Sequence, residues 1–431
     1  MNAYFARHAL LPEGWKSDVR FEIGTSGEFA AITPDSTDMG TTPFDIVLPG
    51  MPNAHSHAFQ RVLAGRAERA RPGGDSFWSW REAMYRALED LTPDEFEAVT
   101  TDAYRTMLAA GYTSVCEFHY VHNAPGGVPY AQPGELAERV ISAARHAGIG
   151  LTLLLVLYRF SDFGETPPRS GQARFTLGLD SFAALWQQLT STYGHDPAIR
   201  IGIAPHSLRA IALDDLSQLA ALAASVAETP LHVHVSEQIR EIEACRARYG
   251  VTPIDLLGSK VQLDRHWCLV HATHATDQEL SAVVASRAVV ALCPTTEANL
   301  GDGIFPAAPF VSAGGRFAIG SDSNVTIDVP EELRWLEYGQ RLSVRERNLL
   351  RDDAQPSVGR YLYESALAGG AQASGRQIGA LRPGYRADFL AFDAAFAFDE
   401  RTALDMLVFR SGTWKVADVI VGGKRIRPSG E

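Results

Sequence analysis

Two histidines, His55 and His57, stand two positions apart at the end of an apolar run that begins at Leu48. On a β-strand, residues i and i+2 share a face, so both imidazoles can reach one metal ion. Three later segments offer matching chemistry: His232-Val-His234-Val-Ser-Glu237, Leu269-Val-His271-Ala-Thr-His274 and Ile319-Gly-Ser-Asp322. Each lies at the end of a short β-branched run. A catalytic zinc site wants three or four nitrogen or oxygen ligands and an open position for water, and His55, His57, His234 and Asp322 can supply the ligands. His232 shares the face of His234 one layer deeper, and periodicity does not choose between them. The ring nearer the strand end has easier access to the other ligands, which favours His234 and leaves His232 as a hydrogen-bonded core residue.

Glu237 follows His234 by three positions, where a strand gives way to a loop, and its carboxylate can turn toward a metal-activated water as a general acid and base. The plainer alternative is a surface acid at the start of a helix over residues 238–249. His271 has two readings as well, a catalytic imidazole or a buried histidine bonded to a neighbouring strand. A two-metal centre bridged by a carboxylated lysine needs a lysine on a central strand. The chain has only Lys16, Lys260, Lys415 and Lys424, none of them so placed, which points to one metal, zinc or another divalent ion, per subunit.

These residues require a scaffold that brings distant strand ends together. From Gly50 to Ala373 short apolar strands alternate with amphipathic helices; strand ends are expected near His57, His119, Tyr158, His206, Glu237, His274, Pro294 and Asp322. Helices are expected over residues 93–109, 134–147, 214–226 and 277–286. Eight strand–helix units predict an α/β fold, a (β/α)8 TIM-like barrel over residues 50–373, with the chemistry at the C-terminal strand ends. Residues 1–49 and 374–431 read as short strands between Gly, Ser, Thr and Asp turns, and predict a small β-sandwich domain built from both chain ends.

At 431 residues and 46% hydrophobic content the chain can bury a large core, and its formal charge of −12 argues against a nucleic-acid or anionic-membrane partner. No apolar run approaches a membrane span, and no secretory signal is visible at the N-terminus. Cys116, Cys245, Cys268 and Cys293 are scattered without CxxC spacing, which fits a reducing cytoplasm.

The His-Ser-His, His-Val-Ser-Glu, strand-six histidine and Gly-Ser-Asp elements resemble the mononuclear aminohydrolase branch of the amidohydrolase superfamily. More narrowly, the runs Pro52 to Arg61, Phe77 to Arg81, Glu117 to Tyr120, Ala204 to Arg209, Cys293 to Gly301 and Glu331 to Gln340 resemble the formimidoylglutamate deiminases. Asn324 departs from the pattern, standing where some relatives carry a histidine. The resemblance implies zinc-dependent hydrolysis of N-formimino-L-glutamate to N-formyl-L-glutamate and ammonia, a step of histidine degradation. It implies His55, His57, His234 and Asp322 as zinc ligands, Glu237 and His271 with Asp322 as catalytic residues, and Gln60, Arg81, Tyr120, His206 and Arg209 as substrate contacts.

Without the motif, each arginine would read as a solvated surface charge. The partner expected is this small anionic substrate, with a homodimer left open. Two rivals stand beside it. One is an aminohydrolase of the same branch acting on a purine, pyrimidine or triazine ring, whose pocket would favour amide and aromatic contacts over two arginines. The other is a non-catalytic barrel scaffold, which has no need of the whole set of metal-type residues.

Overall fold

The computed structural model describes residues 2–37, 43–69, 74–393 and 396–426. Strands β1 (Ala3–Leu11), β2 (Gly14–Ile23), β3 (Phe29–Thr33) and β4 (Phe44–Pro49) open the chain. Eight strands of a second sheet follow: β5 (Met51–Ser56), β6 (Tyr112–His119), β7 (Gly150–Leu157), β8 (Ile199–Pro205), β9 (Leu231–Val235), β10 (Trp267–His271), β11 (Val289–Leu292) and β12 (Arg316–Ile319). Strands β13 (Phe389–Phe392), β14 (Val416–Val421) and β15 (Lys424–Ile426) then return to the first sheet.

From β5 to β12 each strand pairs in parallel with the next. Every residue of β6, β7, β9, β10 and β11 is buried, as expected of parallel strands covered by helices on one side and packed against a barrel interior on the other. The barrel closes where β5 meets the residues after β12. Asp322 donates its amide to the His55 carbonyl at 3.0 Å, and the His57 amide reaches the Asp322 carbonyl at 2.8 Å. Gly320 makes this contact feasible, because a Cβ there would lie 2.8 Å from the His55 carbonyl oxygen. The closure therefore sets two segments of metal-type residues side by side.

The outer helices begin and end where their residues dictate. The helix Pro93–Ala110 starts with a reciprocal cap between Thr92 and Glu95 and stops at Gly111, whose φ is 104°. The helix Asp277–Ser286 has the same cap from Thr276 and Glu279. The observed helices Glu135–Ala147 and Asp215–Ala224 also fall on the expected segments.

The terminal strands form one seven-stranded sheet in the order β15-β14-β13-β4-β1-β2-β3. Positions 1, 38–42, 394–395 and 427–431 of the expected terminal domain lie outside the described residues. In a flat sheet β2 and β13, three places apart, would be separated by about 14 Å. Yet the rings of Phe21 and Phe389 have centroids 5.6 Å apart. The sheet thus curls on itself, and its two halves enclose a core of Ala6, Val19, Phe21, Phe29, Val47, Phe389 and Ile420, which gives the sandwich its two faces from one continuous sheet.

The eight residues expected near strand ends lie at the last strand residue or up to three positions beyond it. The overshoot has a physical cause. Ser236, His271, Ala272, Asp322 and Asn324 all have φ between 44° and 68°, so the backbone turns out of the sheet at the point where the polar side chains begin. Left-handed non-glycine residues of this kind are strained and tend to cluster at functional sites.

Candidate metal and catalytic centre

At the C-terminal mouth of the barrel the Nε2 atoms of His55, His57 and His234 form a triangle with sides of 3.2, 3.4 and 3.0 Å. Asp322 Oδ1 lies 3.5 Å from His55 Nε2 and 3.4 Å from His57 Nε2. Ligands of a tetrahedral zinc ion at 2.0–2.2 Å stand roughly 3.4 Å from one another, so the four donors fit one divalent ion.

Two of the rings are oriented from behind by main-chain oxygens. His57 Nδ1 lies 3.1 Å from the Phe118 carbonyl and His234 Nδ1 lies 3.0 Å from the His206 carbonyl. A proton on each Nδ1 leaves the Nε2 lone pair facing the shared point. Burial pushes the His55 imidazole down to about 4 and that of His57 down to about 3, while Asp322 opposes both shifts. Burial works against ionising Asp322 as well, but the bond from His55 and the charges of His55, His271 and His57 outweigh it and hold the carboxyl below its usual range. Neutral imidazoles and an ionised carboxylate are the ligating forms.

His232, the alternative to His234, points elsewhere: its Nε2 meets the Ala373 carbonyl at 2.8 Å. It is a core histidine. Glu237 is buried, with 8% of its surface exposed, and its Oε1 lies 3.9 Å from His271 Nε2. The surface-acid alternative therefore does not hold. Burial raises the Glu237 pKa, with opposing influences from His271 and Arg209. His271 is bonded through Nδ1 to Glu297 at 3.1 Å, and its Nε2 lies 3.7 Å from Asp322 Oδ2. Burial disfavours its charge, yet Glu237, Glu297 and Asp322 lift it to about 10. The result is a cation held among carboxylates. Its bond runs to Glu297 on the helix Pro294–Leu300, not to a neighbouring strand.

The five expected substrate contacts line one cavity, about 60 Å³ in volume, with His57, His234, Glu237, His271 and Asp322. Gln60 Nε2 donates to the Tyr120 hydroxyl at 3.0 Å, while Gln60 Oε1 has no hydrogen-bond partner among the described residues. The His206 ring is kept neutral by burial and by Arg209 and His57. Arg81, on the helix Phe77–Leu88, stacks 4.5 Å over the Trp78 ring and 5.7 Å from that of Tyr85. Arg81 and Arg209 each have 8% of their surface exposed. Arg81 Nε and Nη1 and Arg209 Nη1 have no hydrogen-bond partner among the described residues. Unpaired guanidinium nitrogens shielded from water are costly unless a ligand takes them up.

A larger cavity lies away from these donors, between the barrel and the terminal sheet. It is lined by Arg200, Arg376, Arg386 and Tyr385 among others and shares no residue with the metal-type cluster.

Sequence reasoning missed several contributors. Glu297 sits in the Cys293-to-Gly301 run without an assigned role; its place in the first turn of a helix conceals that it also bonds His271. The carbonyls of Phe118 and His206 leave no side-chain signal. Phe77, Trp80, Met84, Tyr85, Tyr158 and Phe175 also line the cavity, and from sequence none of them is assigned a place in the site. Asn324 braces the closing turn, donating to the Asp322 carbonyl at 2.8 Å and accepting from Ser321 Oγ at 2.7 Å.

A family model described as the amidohydrolase family matches residues 46–426, and one described as formimidoylglutamate deiminase HutF, N-terminal domain, matches residues 1–41. The chain is 49% identical to a formimidoylglutamate deiminase of Pseudomonas aeruginosa, over 98% of this chain and 94% of the relative. It is 26% identical to an 8-oxoguanine deaminase of the same organism, over 88% and 84% of the two chains. Among solved structures, an amidohydrolase from Brucella melitensis superposes with a TM-score of 0.92 at 42% identity, covering 99% of this chain and 94% of that one. With its eight-stranded barrel, its cluster of three histidines and an aspartate, and these matches along nearly its whole length, the chain belongs to the amidohydrolase family.

Proposed function

We propose that the protein is a metal-dependent hydrolase of linear amidines that converts N-formimino-L-glutamate and water to N-formyl-L-glutamate and ammonia, a step of histidine degradation. One observation carries the substrate reading: two buried guanidiniums, Arg81 and Arg209, with free hydrogen-bond donors in the cavity that also holds the metal-type donors. A glutamate moiety has two carboxylates to offer. Guanidinium forks suit carboxylates, and a purine ring has no comparable charge to present. Similarity to the Pseudomonas aeruginosa deiminase supports the same reading.

His55, His57, His234 and Asp322 would hold one divalent ion, with zinc the best match to three imidazoles and a carboxylate. Such an ion supplies Lewis acidity and brings the pKa of a water molecule toward ~7. Glu237 accepts the proton that water loses as its oxygen bonds to the carbon of the protonated formimino group, and returns it to the terminal nitrogen; as the carbon–nitrogen bond breaks and ammonia departs, the remaining hydroxyl proton passes to Glu237 and on to solvent, leaving the formyl group. Burial raises the pKa of Glu237, which helps it hold the proton between the two transfers. His271, fixed by Glu297, directs Nε2 at the reacting oxygen and steadies the charge that develops there. Tyr120, Gln60 and His206 complete the substrate cradle with neutral groups.

The test is ammonia release by the metal-loaded protein from N-formimino-L-glutamate, 8-oxoguanine and adenosine measured side by side. Turnover of the first with at most trace activity on the rings supports the assignment. The reverse preference overturns it.

A further inference from the structure

Between β9 and the helix Ile239–Tyr249 the chain turns through Ser236, whose φ of 54° lies in the left-handed region. A non-glycine residue holds this conformation only where its surroundings over-determine it. One restraint is visible on the carbonyl side, where Ser236 O accepts from the His274 amide at 3.0 Å. The other comes from Glu241. It occupies the third helical position after the N-cap Gln238, and its Oε2 accepts from the Glu237 amide at 3.1 Å. This resembles the backward reach of a capping-box glutamate, moved one residue upstream. Glu241 is only 6% exposed, its Oε1 has no hydrogen-bond partner among the described residues although the Arg209 charge favours its ionised form, and it does not line the cavity. A surface helix cap needs no such burial. Its desolvation lifts the carboxyl to about 7, a cost that a merely local cap would avoid by facing water.

We propose that Glu241 is a positioning residue: by pinning the amide of Glu237 against the left-handed Ser236, it aims the Glu237 carboxylate into the cavity toward His271. The inference rests on the reading that Glu237 carries the proton. Glu241 itself touches neither substrate nor metal donor.

Three variants of the metal-loaded enzyme separate the bond from the charge. Glu241→Gln keeps an oxygen at the same reach and should retain kcat within about threefold. Glu241→Ala loses the acceptor, and Glu241→Asp keeps the charge but is one methylene too short. Both should lower kcat by on the order of 10- to 100-fold, with KM and metal content little changed. Amide hydrogen exchange at Glu237 should quicken in Ala and Asp and not in Gln. If Glu241→Ala does not fold, the Asp and Gln pair decides alone. Wild-type kcat in the Asp variant, or equal losses in Gln and Asp, overturns the proposal. Glu237→Gln is measured alongside: near-normal turnover there removes the proton-carrying role of Glu237, and the positioning role falls with it.

Discussion

The Nε2 atoms of His55 and His234, 179 positions apart in the chain, lie 3.0 Å from each other. With its Nδ1 proton directed at the His206 carbonyl, His234 turns an Nε2 lone pair toward His55, and a divalent ion can take up that lone pair together with the one on His55. The donor set, completed by His57 and Asp322, predicts about one divalent ion per chain by elemental analysis. Two ions per chain in an active preparation, with a bridging group, would contradict the single-ion account.

The same burial sets the pH range over which the ion should stay. An ordinary histidine gains a proton near 6.5, and a protonated ring cannot ligate. Here the imidazoles of His55 and His57 lie at about 4 and about 3. Their folded-state pKa values are depressed, so protons compete with the ion only as pH falls toward that range. Metal retained after dialysis should be nearly constant from pH 7 to about 5 and decline below it. Half-release near pH 6.5 would show that the rings behave as exposed histidines.

Removing the proton carrier should leave the metal in place. Glu237 is not among the four clustered donors, and its carboxylate lies 3.9 Å from His271. Glu237→Gln is expected to keep the ion and lose on the order of 10²-fold or more in kcat. Loss of metal in this variant would mean that Glu237 belongs to the ligand set.

Much of this centre was legible before the fold was known, because a strand period of two and a barrel's strand ends leave few choices for His55, His57 and Asp322. The His232 and His234 pair was harder. Both lie on one face, and only the Ala373 carbonyl at 2.8 Å from His232 shows which ring is spent on the core. Glu237 and Glu241 also change places relative to the simplest reading. A glutamate was expected at the start of the helix, and one is there, but it is Glu241 that satisfies the amide, leaving Glu237 free for the cavity. Such an exchange depends on the left-handed Ser236, and single-sequence patterns carry no sign of a φ angle on a serine. The curl of the terminal sheet was likewise hidden, since strand pattern reports which residues face inward and not which distant ring they meet.

Arg209 should read substrate charge. The protein's net charge of −12 disfavours approach of a substrate whose two carboxylates leave it net anionic, so attraction must be short-range. Arg209→Met removes a charged hydrogen-bond partner worth ~1.5–3 kcal/mol, or roughly 10- to 150-fold in kcat/KM. Metal content should not change, and a formimino compound without side-chain carboxylates should be much less affected. Equal losses on both compounds would assign Arg209 to the scaffold.

The most direct measurement is a crystal structure of the metal-loaded protein with N-formyl-L-glutamate bound. The account predicts the formyl group beside the ion held by His55, His57, His234 and Asp322, within hydrogen-bond reach of Glu237, and carboxylates on Arg81 and Arg209. A product bound elsewhere, or with both arginines left unpaired, would contradict it.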